Sequence, residues 1–176
     1  IDRKTRLVSV SLVAMFTGFQ YDLKALCDLA HANGALVYAD IAQAAGATPI
    51  DVKACGVDFA ACSSFKWLMG DFGLGFLYAR EDLLGRVVRR TQVGYYQAVR
   101  MASHFLPYDE PGDSPLTYEL GSDATSYFEV GSQANAAVAA LSKSLPYIRA
   151  LGVANIEAYR QPMLQKLQKE MPRLGF

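Results

Sequence analysis

The chain has 176 residues, 52% of them apolar and 19% charged, with 17 basic side chains balanced by 17 acidic ones. Zero net charge without any basic run leaves no electrostatic footprint for a nucleic-acid backbone or an anionic membrane surface. No uninterrupted apolar stretch approaches the roughly 18 residues of a membrane span, and no targeting segment is expected. Cys27, Cys55 and Cys62 follow no CxxC or Cys/His spacing, so neither a disulfide framework nor a metal site is indicated, and a reducing cytoplasm fits best. The chain opens on Ile1 without an initiator Met and stops at Phe176 without a polar taper, so a piece of a longer protein is expected.

Leu7–Val13 is rich in Val and Leu and reads as a buried strand. Between Asp22 and Asn33, Leu23, Leu26, Leu29 and Ala30 recur at helical spacing, with Asp22 as the N-cap and Gly34 as the stop. Ala35–Ala39 is a second strand, ending at Asp40, and the three segments form a βαβ unit. A second crossover through Ala42–Gly56 leads into a third strand over Val57–Ser63. Gly73–Ala79 returns after a turn too short for a helix, so it is expected to run antiparallel to its predecessor. Glu81–Arg90 reads as a short helix, and 91–127 as a long irregular stretch carrying Pro107, Pro111 and Pro115. Ala134–Leu151 reads as a buried helix interrupted or kinked near Pro146, and Val153–Met171 as an amphipathic helix.

In open α/β sheets, ligands sit beyond the carboxyl ends of the strands. Asp40 occupies one such end and Ser63-Ser64-Phe65-Lys66 the next, which brings a carboxylate and an amine to one crevice. An imine between Lys66 and an aldehyde cofactor, with Asp40 holding a pyridine nitrogen protonated, would give a covalent tether and an electron sink. Spacing alone is weak support, since Asp40 also suits the cap of the following turn and Lys66 alone would read as a surface lysine.

The surrounding residues add much more. Asp40-Ile41-Ala42-Gln43, Gly46-Ala47-Thr48-Pro49, Gly56-Val57-Asp58-Phe59 and Lys66-Trp67-Leu68-Met69-Gly70 resemble the class V aminotransferase and cysteine desulfurase family, densely from Leu7 to Arg80. The resemblance implies an α/β fold, the large-domain core of a fold type I pyridoxal phosphate enzyme with a mostly parallel sheet and flanking helices. It implies 1–152 as part of that large domain and 153–176 as a helix leading toward a small C-terminal domain. Lys66 would be the Schiff-base lysine, Asp40 the partner of the pyridine nitrogen, Gln43 a donor to the phenolic oxygen, and Ser63 a phosphate ligand. Ser132, in Glu129-Val130-Gly131-Ser132, would reach the phosphate of a neighbouring subunit, which implies a homodimer. The implied substrate is a small amino acid or amine.

Two departures bear on the reaction. The desulfurases carry a His before the lysine where this chain has Phe65, closer to the kynureninase side of the family. Leu12-Val13-Ala14-Met15 lacks the polar groups those enzymes place after the first strand. Transamination, cysteine desulfurase or selenocysteine lyase chemistry, kynureninase-like cleavage and epimerisation all stay open, as does a catalytically incomplete fragment, inactive alone, that serves only in packing or dimerisation. Other residues stand outside the chemistry: His31 reads as a surface residue near a helix end, Cys62 as packing on a buried strand, and Trp67 as packing under the lysine turn. Ser64 and His104 rank as weak site candidates, and Asp71-Phe72-Gly73 lacks every other kinase signature.

Overall fold

One mixed sheet of four strands, in the order β1-β2-β3-β4, organises the computed structural model, which describes residues 1–102 and 117–175. The strands are β1 (Leu7–Ser11), β2 (Leu36–Asp40), β3 (Phe59–Ser63) and β4 (Gly75–Ala79). β1 and β2 run parallel with Ser11 opposite Asp40, and β2 and β3 run parallel with Asp40 opposite Ala61. β1 ends at Ser11 and β3 begins at Phe59, so both are shorter than their apolar runs, whereas β2 has the expected length shifted by one residue.

Side chains alternate across a sheet, so this register sorts them onto two faces. Val37, Ala39, Ala60 and Cys62 lie on the covered face and are buried. α1 (Leu23–Ala32) covers it with Leu23, Cys27 and Ala30, and burying such a side chain stabilises by roughly 1.5–3 kcal/mol for the larger ones. The Asp22 side chain accepts from the Ala25 amide, the N-cap that its position indicates. Gly34 follows at a φ of 75°, a conformation that ends the helix without the penalty a Cβ brings. Asp40, Ala61 and Ser63 share the opposite face.

The second crossover departs from expectation. Ala42–Gly56 holds tight turns followed by a single helical turn, α2 (Val52–Cys55), capped by Asp51. Gly46, at a φ of 87°, and Pro49 interrupt any longer helix.

The chain divides into two units, 1–78 with 134–176, and 79–133. In the first, α4 (Asn135–Leu151) continues through Pro146 as one helix, but only Ala137, Ser144 and Ile148 are buried, so it is less enclosed than its composition implies. α5 (Val153–Glu170) buries no residue fully. In the second, Glu81–Leu83 is a 3₁₀ turn rather than a helix reaching Arg90. The stretch expected to be irregular contains an antiparallel pair, β5 (Ala98–Ala102) and β6 (Thr117–Leu120), then α3 (Ala124–Phe128). Arg90 ties this unit together, donating to the Ser126 and Gly121 carbonyls with its guanidinium 4.3 Å from the Tyr127 ring centroid. His104 lies outside the described residues. Among the described residues, no helix is long and apolar enough to cross a membrane.

Candidate active site

Asp40 ends β2 because its Oδ1 accepts from the Ala42 amide at 2.9 Å, turning the chain out of the ladder. The carboxylate is exposed, and Oδ2 carries no hydrogen bond among the described residues. Asp40 is therefore both the cap of a turn and an available anion.

β3 ends in a closed turn built on Ser64. This side chain is fully buried, its amide donates to the Leu74 carbonyl at 3.0 Å, and its Oγ donates to the Asp71 carbonyl at 2.8 Å. Gly70 packs directly on it, where a Cβ would sit 2.7 Å from the Ser64 Cβ. Ser64 thus holds the turn shut, while the half-buried Ser63 lies on the face that carries Asp40. Lys66 stands within that turn, half-buried, with Nζ 6.0 Å from the Phe65 ring centroid, and Phe65 stacks on Phe72. Met69 adopts a φ of 52°, left-handed backbone that a non-glycine residue holds at a cost of about 1–3 kcal/mol. The lysine turn is strained and closed.

Cys62 reports on what lies around it. Burial pushes its thiol up first, the nearby Asp40 carboxylate pushes it further, and Lys66 pulls it back down. Cys62 sits on the covered face and Asp40 on the other, and the raised thiol stays protonated and unreactive near neutrality.

Gln43 faces a separate cavity of about 240 Å³, which Val13, Thr48, Trp67, Glu157 and Arg160 also line. Asp40, Ser63 and Lys66 are not among its walls. Ser132 belongs to the second unit, where its Oγ lies 2.6 Å from the Tyr95 hydroxyl. The structure so brings Asp40, Ser63 and Lys66 to one end of the sheet and puts Gln43 on the next turn.

Two arrangements had no signal in the sequence. Arg160, on α5, donates to the Ala47 carbonyl at 2.8 Å and to Thr48 Oγ1 at 3.4 Å, with its guanidinium 5.4 Å from the Trp67 ring centroid. His31, read as a plain surface residue, is exposed but places Nε2 2.8 Å from the fully buried Asp58, whose Oδ2 also accepts from the Val37 amide at 2.7 Å. That pair fastens α1 to the sheet at the end away from Lys66.

The family description aminotransferase class-V matches residues 1–176. The chain belongs to this family. It is 32% identical over 170 residues to a cysteine desulfurase of Klebsiella pneumoniae, an alignment covering 93% of this chain and 37% of that protein. It is 32% identical to a probable cysteine desulfurase of Methanothermobacter thermautotrophicus, covering 95% of this chain and 38% of that one. Among solved structures, the apo cysteine desulfurase of Thermococcus onnurineus superposes with a TM-score of 0.77 at 25% identity, covering 97% of this chain and 39% of that one. A mutant of the enzyme C-DES, with glycine covalently linked to its PLP cofactor, superposes with a TM-score of 0.70 at 26% identity, covering 94% and 40%. The chain thus spans about two-fifths of the length of these relatives.

Proposed function

We propose that this chain carries the cofactor-binding core of a pyridoxal phosphate-dependent enzyme acting on a small amino acid or amine, with Lys66 as the attachment point. The observation that carries this reading is the placement of Asp40 at the end of β2 and of Lys66 in the turn that follows β3, the neighbouring strand. Membership of the class-V family supports it, and so does the PLP held by the C-DES mutant.

The donor set fits such a group. Lys66 offers a half-buried primary amine to an aldehyde, and Asp40 offers an exposed carboxylate oxygen to a protonated ring nitrogen. Ser63 supplies a hydroxyl for the phosphate on the Asp40 face, and Gln43 an amide for the phenolic oxygen. Ser132, with its hydroxyl exposed at a turn, is the group that a second copy would use in a cytoplasmic homodimer. When bound, pyridoxal phosphate supplies an electron-withdrawing ring that lowers the energy of negative charge on the substrate α-carbon. Asp40 would hold a proton at the ring nitrogen of a bound cofactor, since a carboxylate beside that nitrogen favours its charged form. With the group bound, the Lys66 amine would be the general base that takes the Cα proton, and its protonated form the general acid that gives it back.

The names of the 32%-identical relatives favour the carbon–sulfur bond of cysteine as the bond to test first. The test offers cysteine with a reducing thiol, and in parallel an amino acid with an α-keto acid, to the loaded protein and to Asp40→Asn. The expected result is turnover of one pair by the parent and a loss of about 10²-fold or more in Asp40→Asn, the scale of losing a proton-holding group. An Asp40→Asn protein working at the parent's rate would falsify the role given to Asp40.

A further inference from the structure

We infer that Arg160 is a positioning residue for Lys66, acting through Trp67, and this rests on the reading of Lys66 as the cofactor amine. Trp67 follows Lys66 directly, so any rotation of the peptide between them swings the lysine. That peptide sits in a turn strained at Met69, and a strained turn persists only where its surroundings over-determine it.

Restraint comes from two sides. On the backbone side, the Gly46 turn presses on Trp67 so closely that a Cβ on Gly46 would stand 2.7 Å from the Trp67 carbonyl oxygen and 2.9 Å from its carbon. On the side-chain side, the Arg160 guanidinium lies over the indole at 5.4 Å and continues to the Ala47 carbonyl and Thr48 Oγ1. Ala47 and Thr48 belong to the same turn as Gly46, which follows Gln43. One guanidinium therefore clasps the turn after Asp40 and the turn after β3, the two that carry the proposed chemistry.

The chemistry of arginine suits this task better than that of lysine. A planar guanidinium can stack on an indole while its N–H groups reach sideways to a carbonyl and a hydroxyl, which a point-like ammonium cannot do at once. The Arg160 Nε is buried without a hydrogen-bond partner among the described residues, so the ring and the Ala47–Thr48 acceptors are what hold the group. Trp67 as a whole is 45% exposed, so the guanidinium supplies a contact on a ring that the core does not enclose.

Trp67 is the single tryptophan of the chain, so its fluorescence reads the clasp without any cofactor. The experiment compares the parent with Arg160→Ala and Arg160→Lys in two measurements. One is acrylamide quenching of Trp67. The other is the pyridoxal phosphate concentration needed to half-label Lys66 under borohydride, read by peptide mapping. For Arg160→Ala the expected result is a quenching constant raised about twofold and a half-labelling concentration raised about tenfold. Arg160→Lys, which keeps a charge near the indole and leaves the fold least disturbed, should fall between. Where catalysis is measurable, kcat should drop more than KM rises.

Unchanged quenching in both variants overturns the clasp. Altered quenching with Lys66 labelling at the parent's concentration overturns the positioning role, leaving Arg160 as packing only. If the parent itself takes label at another lysine and not at Lys66, the reading beneath the inference fails, and the quenching data still show whether Arg160 holds Trp67.

Discussion

Replacing Gly46 by Ala combines two penalties that can be separated by a matched control. Gly46 has a φ of 87°, and Gly34 has a φ of 75° with nothing within 4 Å of the position a Cβ would take. An L side chain at either position meets the left-handed penalty of roughly 1–2 kcal/mol, offset by about 0.4–1 kcal/mol as the unfolded chain loses glycine's freedom. Gly34→Ala should therefore destabilise by about 0–1.6 kcal/mol. At Gly46 the new methyl also meets backbone atoms of Trp67 at 2.7 and 2.9 Å and the Leu68 side chain at 3.1 Å. Backbone cannot rotate aside as a side chain can, so an overpacking penalty of about 1–3 kcal/mol is added, for a total of about 1–4.6 kcal/mol. Urea unfolding followed at Trp67 gives the two stabilities, and the folded-state spectrum gives the second readout. Gly46→Ala should shift the Trp67 emission and weaken Lys66 labelling, whereas Gly34→Ala should alter neither. Equal losses in the two variants with identical spectra would refute the close approach of the Gly46 turn to the lysine turn, and with it one half of the clasp.

Two further predictions follow from the thiols. Asp40 raises the Cys62 thiol and Lys66 lowers it, so Asp40→Asn should speed iodoacetamide alkylation of Cys62 at pH 8 and Lys66→Met should slow it; peptide mapping that finds both variants at the parent's rate would separate the two charges from this sulfur. Cys27 is pushed up to about 11 by burial first, then by Cys55, Asp58 and Asp28. Its folded thiol keeps a proton that the unfolded one releases near 9, so the stabilisation is present below pH 9 and is lost as pH climbs toward 11. The loss approaches about 2–3 kcal/mol. Denaturant midpoints against pH should fall less steeply in Cys27→Ala, and identical slopes would contradict the burial of that thiol.

What could be read from the sequence was local. Apolar runs ending in Asp40 and Ser63 marked the strands, and Asp22 before Leu23 marked the start of α1, because strand burial and N-capping act on neighbouring residues. The β5–β6 pair escaped because its register shifts between Ala98 and Arg100, which breaks the alternation that identifies a strand. α4 read as enclosed because its residues are small and apolar, yet burial depends on what packs against a helix, and only three of its side chains are covered. At the site, Asp40 and Lys66 were legible as strand-end residues, and Gln43 and Ser63 through the family resemblance. Arg160 was not, since the contact with Thr48 joins residues 112 positions apart and follows no periodic pattern. The bond of His31 to Asp58 spans 27 positions and was hidden for the same reason.

The most direct test of the central claim is to load the protein with pyridoxal phosphate, reduce it with borohydride, and locate the label by mass spectrometry among Lys4, Lys24, Lys53, Lys66, Lys143, Lys166 and Lys169. The expected result is one phosphopyridoxyl group, on Lys66, and its disappearance in Lys66→Ala. A label spread over the exposed lysines, or placed on another one while Lys66 stays unmodified, would contradict it.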